Sequence, residues 1–450
     1  MRPRNVVLLV ADSLRFDAVH RPGVPHGLDW TVRHGTTFTG ARSAGCWTLP
    51  ATASLFTGRM PHEHGADAQT RAMHAGLPTL AERLATAGFD TAQVTANIAT
   101  TDIFGLDRGF GRTIRTWQRV PMLYPRLHGF LAILGKPRLR KRILSTDYIA
   151  GKLAEDLDCI KVWLQRTMDA TLDGAREVLE ANDAAGRRSF VFVNLMETHF
   201  PYHLGDTFET SASGLWARLR ELRALFHYVN QTWLTTGRQP VDEAMLAVLR
   251  ERQRRAWQRL APLVDAFIEE RAAAGDLVVF CGDHGDAFGE DDWVYHFNNV
   301  TDGGNRVPLH WVDPSGASQT IDAAVSTRHV HDAILRALGV DGGTDTLFTP
   351  QEDVPVLQSA WYDNQGRTLP RYRFNQLAFL AQDRRWMRRR GAWHTASVSA
   401  PGAPEPRWEP LPRGTDPVEE LDLGATRRAA LRGAIASFGE YSRSIGGEPW

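Results

Sequence analysis

The sequence predicts an α/β fold: a doubly wound sheet with helices on both faces, followed by a small C-terminal α+β subdomain. Three observations carry that expectation. Continuous apolar runs rich in β-branched residues recur at 6–10, 190–195 and 277–281, and each ends in polar residues. Runs of this kind mark parallel strands covered on both faces. Helix-period segments alternate with them, and beyond Asp341-Gly342-Gly343 the composition shifts toward Pro, Trp and Arg.

Taken in order, residues 6–10 form the first strand and deliver Asp12 at its carboxyl end. The segment Trp47-Thr48-Leu49-Pro50 opens a helix, because Thr is a common N-cap and Pro belongs in a first turn. Thr48 therefore reads either as that cap or as a hydroxyl nucleophile set where a helix dipole favours an anionic ester. Residues 79–87 read as a helix leading into a strand at 91–95, with Asn97 just beyond it. From 124 to 161 the pattern weakens, and 211–271 reads as long charged helices. We expect lid or insertion helices at about 120–185 and 205–272. Residues 127–134, with Lys136, Arg138, Arg140, Lys141 and Arg142, place an apolar patch beside a basic cluster, read as the solvated face of such an insertion. A strand-helix unit at 323–340 completes a catalytic domain of residues 1–345. The subdomain, 346–450, has strands near 354–362, 377–380 and 386–388 and a Pro-rich surface connection at 401–412.

With 450 residues, 43% of them hydrophobic, the chain can bury a large core. Its 52 basic and 52 acidic residues balance, which argues against a nucleic-acid partner. No apolar stretch approaches the roughly 20 residues of a membrane-spanning helix, so no stable membrane insertion is expected. The first apolar run is too short for a signal peptide and no small-residue cleavage site follows it. Cys46, Cys159 and Cys281 are the 3 cysteines, a sparse and odd set that fits a reducing compartment, and a cytoplasmic location is expected. The oligomeric state has no signature here.

The chemistry gathers at strand ends. Cys281-Gly282-Asp283-His284-Gly285 closes one apolar strand with a carboxylate and an imidazole, ligands suited to a divalent cation, and Asp12 supplies a second carboxylate. A metal on Asp12, Asp283 and His284 would lower the pKa of the Thr48 hydroxyl and bind an ester oxygen. That combination reverses the capping reading of Thr48. His199, in Glu197-Thr198-His199-Phe200-Pro201, and His296, after Tyr295, are candidates to serve the leaving group and are preferred to His203. His62 and His64 read as helix-end packing.

Residues 10–17, the Thr48 to Gly58 segment with Arg59 and residues 61–65, and residues 197–202, 282–289 and 306–309 resemble, in order and spacing, the sulfatase branch of the alkaline phosphatase superfamily. Asn97, 105–110, 325–339 and 416–421 extend the likeness over nearly the whole chain. The resemblance implies an alkaline-phosphatase-like mixed sheet and metal-assisted hydrolysis through a covalent intermediate. Two departures redirect it. Sulfatases carry a Cys or Ser, oxidised to formylglycine, two residues before the motif proline and an Arg two residues after it. This chain has Thr48 and Thr52 there, and a Thr cannot form the aldehyde. Thr48 is instead similar to the unmodified Thr of superfamily phosphodiesterases, phosphonate monoester hydrolases and phosphotransferases. Ser13 replaces the second Asp of the sulfatase pair, leaving fewer carboxylates, so zinc or manganese is favoured over calcium or magnesium. Arg15 and Arg59 are candidates to replace the missing charge, with Asn97 beside them in binding substrate.

The expected protein is thus a metal-dependent hydrolase of phosphate mono- or diesters acting on a small anionic ester. The same site would serve a phosphotransferase. The alternatives are a sulfuric-ester hydrolase and a degenerate anion-binding protein.

Overall fold

The computed structural model describes residues 3–67, 70–120, 166–202, 242–296, 299–314, 316–340, 347–349, 356–360 (as backbone), 374–381, 383–398 and 406–445, with Ala224, Tyr228, Val229 and Ala400. Among them, eight strands form one sheet: β1 (Val6–Ala11), β2 (Thr36–Arg42), β3 (Phe89–Thr95), β4 (Arg112–Arg115), β5 (Arg188–Leu195), β6 (Leu277–Gly282), β9 (Leu309–Val312) and β10 (Gln319–Ser326). Their order is β10-β2-β9-β6-β1-β5-β3-β4. All the pairings are parallel except those of β9, which runs antiparallel to both β2 and β6 and makes the sheet mixed. A two-stranded hairpin, β7 (Ala287–Phe288) with β8 (Val294–Tyr295), follows β6.

The period-2 alternation of a strand divides the core into two layers. Val6, Leu8, Val10, Phe190 and Phe192 face helices Thr48–Thr57, Leu80–Thr86 and His329–Leu338 through Leu49, Ala53, Leu84, Ile334 and Leu338. Val7, Leu9, Val191, Val193 and Val278 face the opposite layer, helices Met168–Ala184 and Glu243–Ala273, through Leu172, Leu179, Leu260, Val264 and Phe267. These two helices fall within the spans expected to hold lid or insertion helices, and they cover one face of the sheet. Their charged outer faces hide an apolar stripe that the sheet covers. Residues 121–165, including the patch beside the basic cluster, and His203 lie outside the described residues.

β11 (Val356–Ala360), β12 (Gln376–Ala381), β13 (Arg384–Arg389), β14 (Ala392–Ser397) and β15 (Glu409–Pro410) form an antiparallel sheet. One of its faces, with Leu377, Phe379 and Trp386, packs on Leu431, Ile435 and Phe438 of helix Ala425–Ser444. The other, with Ala378 and Met387, packs on Cys46 and Val300. The small sheet therefore backs the segment that leads into Thr48. No helix among the described residues is long and apolar enough to cross a membrane.

Candidate active site

The strand order explains how distant residues meet. β6, β1, β5 and β3 are neighbours, so Asp283, Asp12, the segment bearing His199, and Asn97 leave the sheet side by side at its carboxyl edge. Thr48 comes to the same edge as the first residue of helix Thr48–Thr57. It is not the cap: Trp47 holds that position in an extended conformation with no side-chain cap bond. The freed Thr48 hydroxyl lies 3.5 Å from Asp12 Oδ2, 3.4 Å from His284 Nε2 and 3.4 Å from Asn97 Nδ2.

Asp12, Asp283 and His284 are fully buried, and each offers a ligand atom within 4.8 Å of the others. The surroundings fix these atoms as acceptors. His284 Nδ1 lies 2.9 Å from the Gly285 carbonyl, which only accepts, so the ring donates there and Nε2 keeps its lone pair. Nε2 is 3.7 Å from Asp12 Oδ1 and 3.6 Å from Asp283 Oδ2. Asp283 Oδ1 accepts from the Ser13 and His284 amides at 3.0 and 2.8 Å, while Oδ2 has no hydrogen-bond partner among the described residues. A buried, unpartnered carboxylate oxygen facing an imidazole lone pair is costly unless a cation joins them. The donor set thus fits a divalent metal. Without one, burial and the neighbouring Asp12 push the Asp283 carboxyl up to about 7. Burial works to depress His284, but Asp283, Asp12 and Asp286 outweigh it and raise the ring above its ordinary value.

Ser13, which stands where the sulfatase pattern has a carboxylate, braces this cluster. Its backbone takes the left-handed conformation at φ 58°, which aims its amide at Asp283 and its hydroxyl, at 3.2 Å, at Asp12 Oδ1. Asn97 Nδ2 donates to Asp12 Oδ2 at 2.5 Å, and Thr198 Oγ1 donates to the Asp12 carbonyl at 2.7 Å. Gly285 is required by close approach, since a Cβ there would lie 2.1 Å from the Gly303 carbonyl.

His199 and His296 reach the same edge with ring centroids 5.2 Å apart, and His296 lies 4.8 Å from His284. His199 Nδ1 donates to the Phe200 carbonyl at 2.7 Å, and Tyr295 Oη lies 3.4 Å from its Nε2. His296 donates through Nδ1 to Asp286 Oδ1 at 2.7 Å. Burial lowers His296 to about 4, more than Asp286 raises it. The Asp286 carboxyl falls below its usual value because His296, followed by His199 and His284, outweighs its burial.

The two arginines expected to bind the ester are placed elsewhere. Arg15 grips Asp17 at 2.7 and 2.8 Å, Glu290 at 2.8 Å and the Asp286 carbonyl at 2.7 Å, so its guanidinium supports the loop behind the site. Arg59 is exposed just beyond the far end of helix Thr48–Thr57, about 15 Å from Thr48 at 1.5 Å of rise per residue. Thr52, at the position of the sulfatase Arg, is wholly buried and brings no charge. His64 is a packing residue, as expected: it is fully buried, 3.0 Å from Ser54 Oγ and accepting from the Ala66 amide, and burial lowers it to about 3. The sequence reading missed Asp286 and Tyr202, whose hydroxyl donates to Asp286 Oδ2 at 2.6 Å. The signal was the short hairpin: Ala287 pairs with Tyr295, so Asp286 and His296 stand opposite each other.

The sulfatase family matches residues 4–340 of the chain. No curated protein matches it. The solved phosphonate monoester hydrolase of Agrobacterium radiobacter is similar over 98% of this chain and 96% of its own, at 16% identity and a TM-score of 0.60. The phosphonate monoester hydrolase of Silicibacter pomeroyi is similar over 96% and 95%, at 17% identity and 0.60. A 2-O GAG sulfatase is similar over 100% and 95%, at 14% identity and 0.60. At these identities the likeness to each structure is one of fold.

Proposed function

The chain belongs to the sulfatase family, enzymes of the alkaline phosphatase superfamily, and from that premise we propose that it is a metal-dependent hydrolase of phosphate mono- or diesters with Thr48 as nucleophile. The observation that carries this reading is the placement of the Thr48 hydroxyl at a helix start, within 3.5 Å of Asp12 and 3.4 Å of His284. Asp12, Asp283 and His284 would hold the cation, zinc or manganese by donor set. It supplies Lewis-acid stabilisation of the ester oxygens and eases ionisation of the hydroxyl. Thr48 Oγ1 bonds to phosphorus and the alcohol departs with the proton that the Thr48 hydroxyl gives up, His199 or His296 assisting its passage. Asn97 holds Asp12 in place, and the first-turn amides favour the anionic group. Water then opens the Thr48 ester; if an alcohol replaces water, the same site transfers the phosphoryl group.

Sulfuric-ester hydrolysis is favoured by the family match alone, and Thr48 opposes it because no aldehyde can form there. The test is an assay of metal-loaded protein on aryl phosphate monoester, phosphodiester, phosphonate and sulfate. Turnover of the phosphorus esters that disappears in Thr48→Ala is expected. Preference for the sulfate would overturn the substrate class. Turnover unchanged in Thr48→Ala would overturn the nucleophile, and no turnover of any ester would favour an anion-binding protein.

A further inference from the structure

Two histidines reach the site, and their surroundings differ. His199 is held by its own loop, through the Phe200 carbonyl, and is only partly buried. His296 is held by a carboxylate that is itself held: Asp286 Oδ1 takes the His296 Nδ1 proton, Oδ2 takes the Tyr202 hydroxyl proton, and the Asp286 carbonyl takes Arg15 Nη1. All three of Asp286, His296 and Tyr202 are buried. The backbone on both sides of this link is strained, with Tyr202 at φ 57° and Tyr295 at φ 77°. Aromatic residues rarely adopt that region, and such strain persists only where surrounding contacts enforce it. The Asp286 carboxylate therefore ties the loop after β5 to the hairpin after β6.

We propose that Asp286, with Tyr202 behind it, is a positioning residue that fixes the plane and tautomer of His296. The His296 Nε2 acceptor then orients the water that opens the Thr48 ester. A carboxylate can only accept from Nδ1–H, so Nε2 is left as the acceptor of the ring. The ring lies against His284 and His199, and the Nε2 of His284 is 3.4 Å from the Thr48 hydroxyl. In this step the water oxygen bonds to phosphorus and the bond from phosphorus to Thr48 Oγ1 breaks. One water proton returns to Oγ1 and the other stays on the released phosphate. The inference rests on the covalent Thr48 reading and concerns only its second half.

The test is intact-mass measurement of metal-loaded protein, acid-quenched during turnover of an aryl phosphate, alongside the steady-state rate. Asp286→Asn is expected to lower kcat about 10- to 100-fold, the range for lost supports of an oriented imidazole. Chain esterified on Thr48 should accumulate well beyond the wild-type fraction. Tyr202→Phe, which removes one oxygen, should do the same to a smaller degree, and Asp286→Glu should recover part of the rate. A fall in kcat with no accumulated ester would overturn the proposal, because a merely structural lesion slows both halves. His284, Asp286 and His296 also offer ligand atoms within 4.8 Å of one another, so loss of a second equivalent of bound metal in Asp286→Asn would also overturn it, by making Asp286 a ligand. Absence of any Thr48 ester in every variant, with Thr48→Ala as active as wild type, would instead bring down the nucleophile reading itself.

Discussion

Strand β6 has a buried carboxylate at each end, Asp276 and Asp283, and the two are treated in opposite ways. At the amino edge Asp276, just before β6, accepts from Asn5 Nδ2 at 2.8 Å and from Arg271 at 2.8 and 2.5 Å. Asn5 Oδ1 in turn accepts from the Ser189 amide of β5 at 2.8 Å. Both Asp276 oxygens are paired, and the group acts as a clasp for β1, β5 and β6. At the carboxyl edge Asp283, six residues of strand away and just as buried, faces a second carboxylate and keeps one oxygen unpartnered among the described residues. Buried charge is tolerable when compensated. Where the fold leaves it uncompensated, the missing partner is the ligand.

The largest expected effect falls on the carboxyl edge. Thr48→Ala should cut turnover of aryl phosphate by at least about 10³-fold while the thermal midpoint stays near that of wild type, as removal of a nucleophile does. A loss of midpoint in proportion to activity would make Thr48 part of the structure and blur the comparison.

Paired substitutions sharpen it next. Asp276→Asn should destabilise the protein by about 3 kcal/mol in urea titration, because buried Arg271 loses its closest counter-charge and keeps only Asp183 and Glu270, at 3.6 and 3.8 Å. Its kcat should be unchanged in the folded fraction. Asp283→Asn should abolish activity yet raise the unfolding midpoint of the metal-free protein at pH 8, because it removes one of two facing carboxylates. Destabilisation by both would mean the edges are equivalent.

The pH dependence tests the carboxyl edge further. Asp283, raised to about 7 in the fold by burial and Asp12, loses its proton near pH 4 when unfolded. The metal-free fold therefore binds more protons between about pH 4 and 7 and loses stability as pH rises through that window. Half-buried His20 and fully buried His64, lowered to about 4 and about 3, carry the opposite sign. The unfolded chain protonates them below about 6.5 while the fold does not, so stability falls as pH falls, by about 1.4 kcal/mol per unit for each histidine. The midpoint gap between metal-loaded and metal-free protein should widen from pH 5 to 8. A gap that narrows would place the cation elsewhere.

The smallest effect belongs to a residue that the tertiary structure moved off the site. Arg59→Ala should leave KM for aryl phosphate within about twofold, since the side chain is exposed a full helix away from Thr48. A tenfold rise in KM would restore it to the substrate.

The strands at 6–10, 190–195 and 277–281 were legible because burial on both faces requires unbroken apolar runs. Asp12 and Asp283 followed from the rule that ligands gather at carboxyl ends. β2, with Thr36, Thr37 and Thr39 among its seven residues, and the antiparallel β9 lack such runs and were not legible. That the helices Met168–Ala184 and Glu243–Ala273 cover the sheet was not legible, because charge on the outer face masked the inner stripe. By itself, then, the sequence determined the fold class, the family likeness and the metal-type residues at strand ends, since each is written in local pattern and spacing. Only the tertiary structure decided which polar groups find partners. Strand order put Thr48, Asn97, Asp12 and His284 within hydrogen-bond reach, a hairpin set Asp286 opposite His296, and Arg15 and Arg59 were spent elsewhere. Compensation of a buried charge depends on neighbours tens to hundreds of residues away, and no local pattern records it.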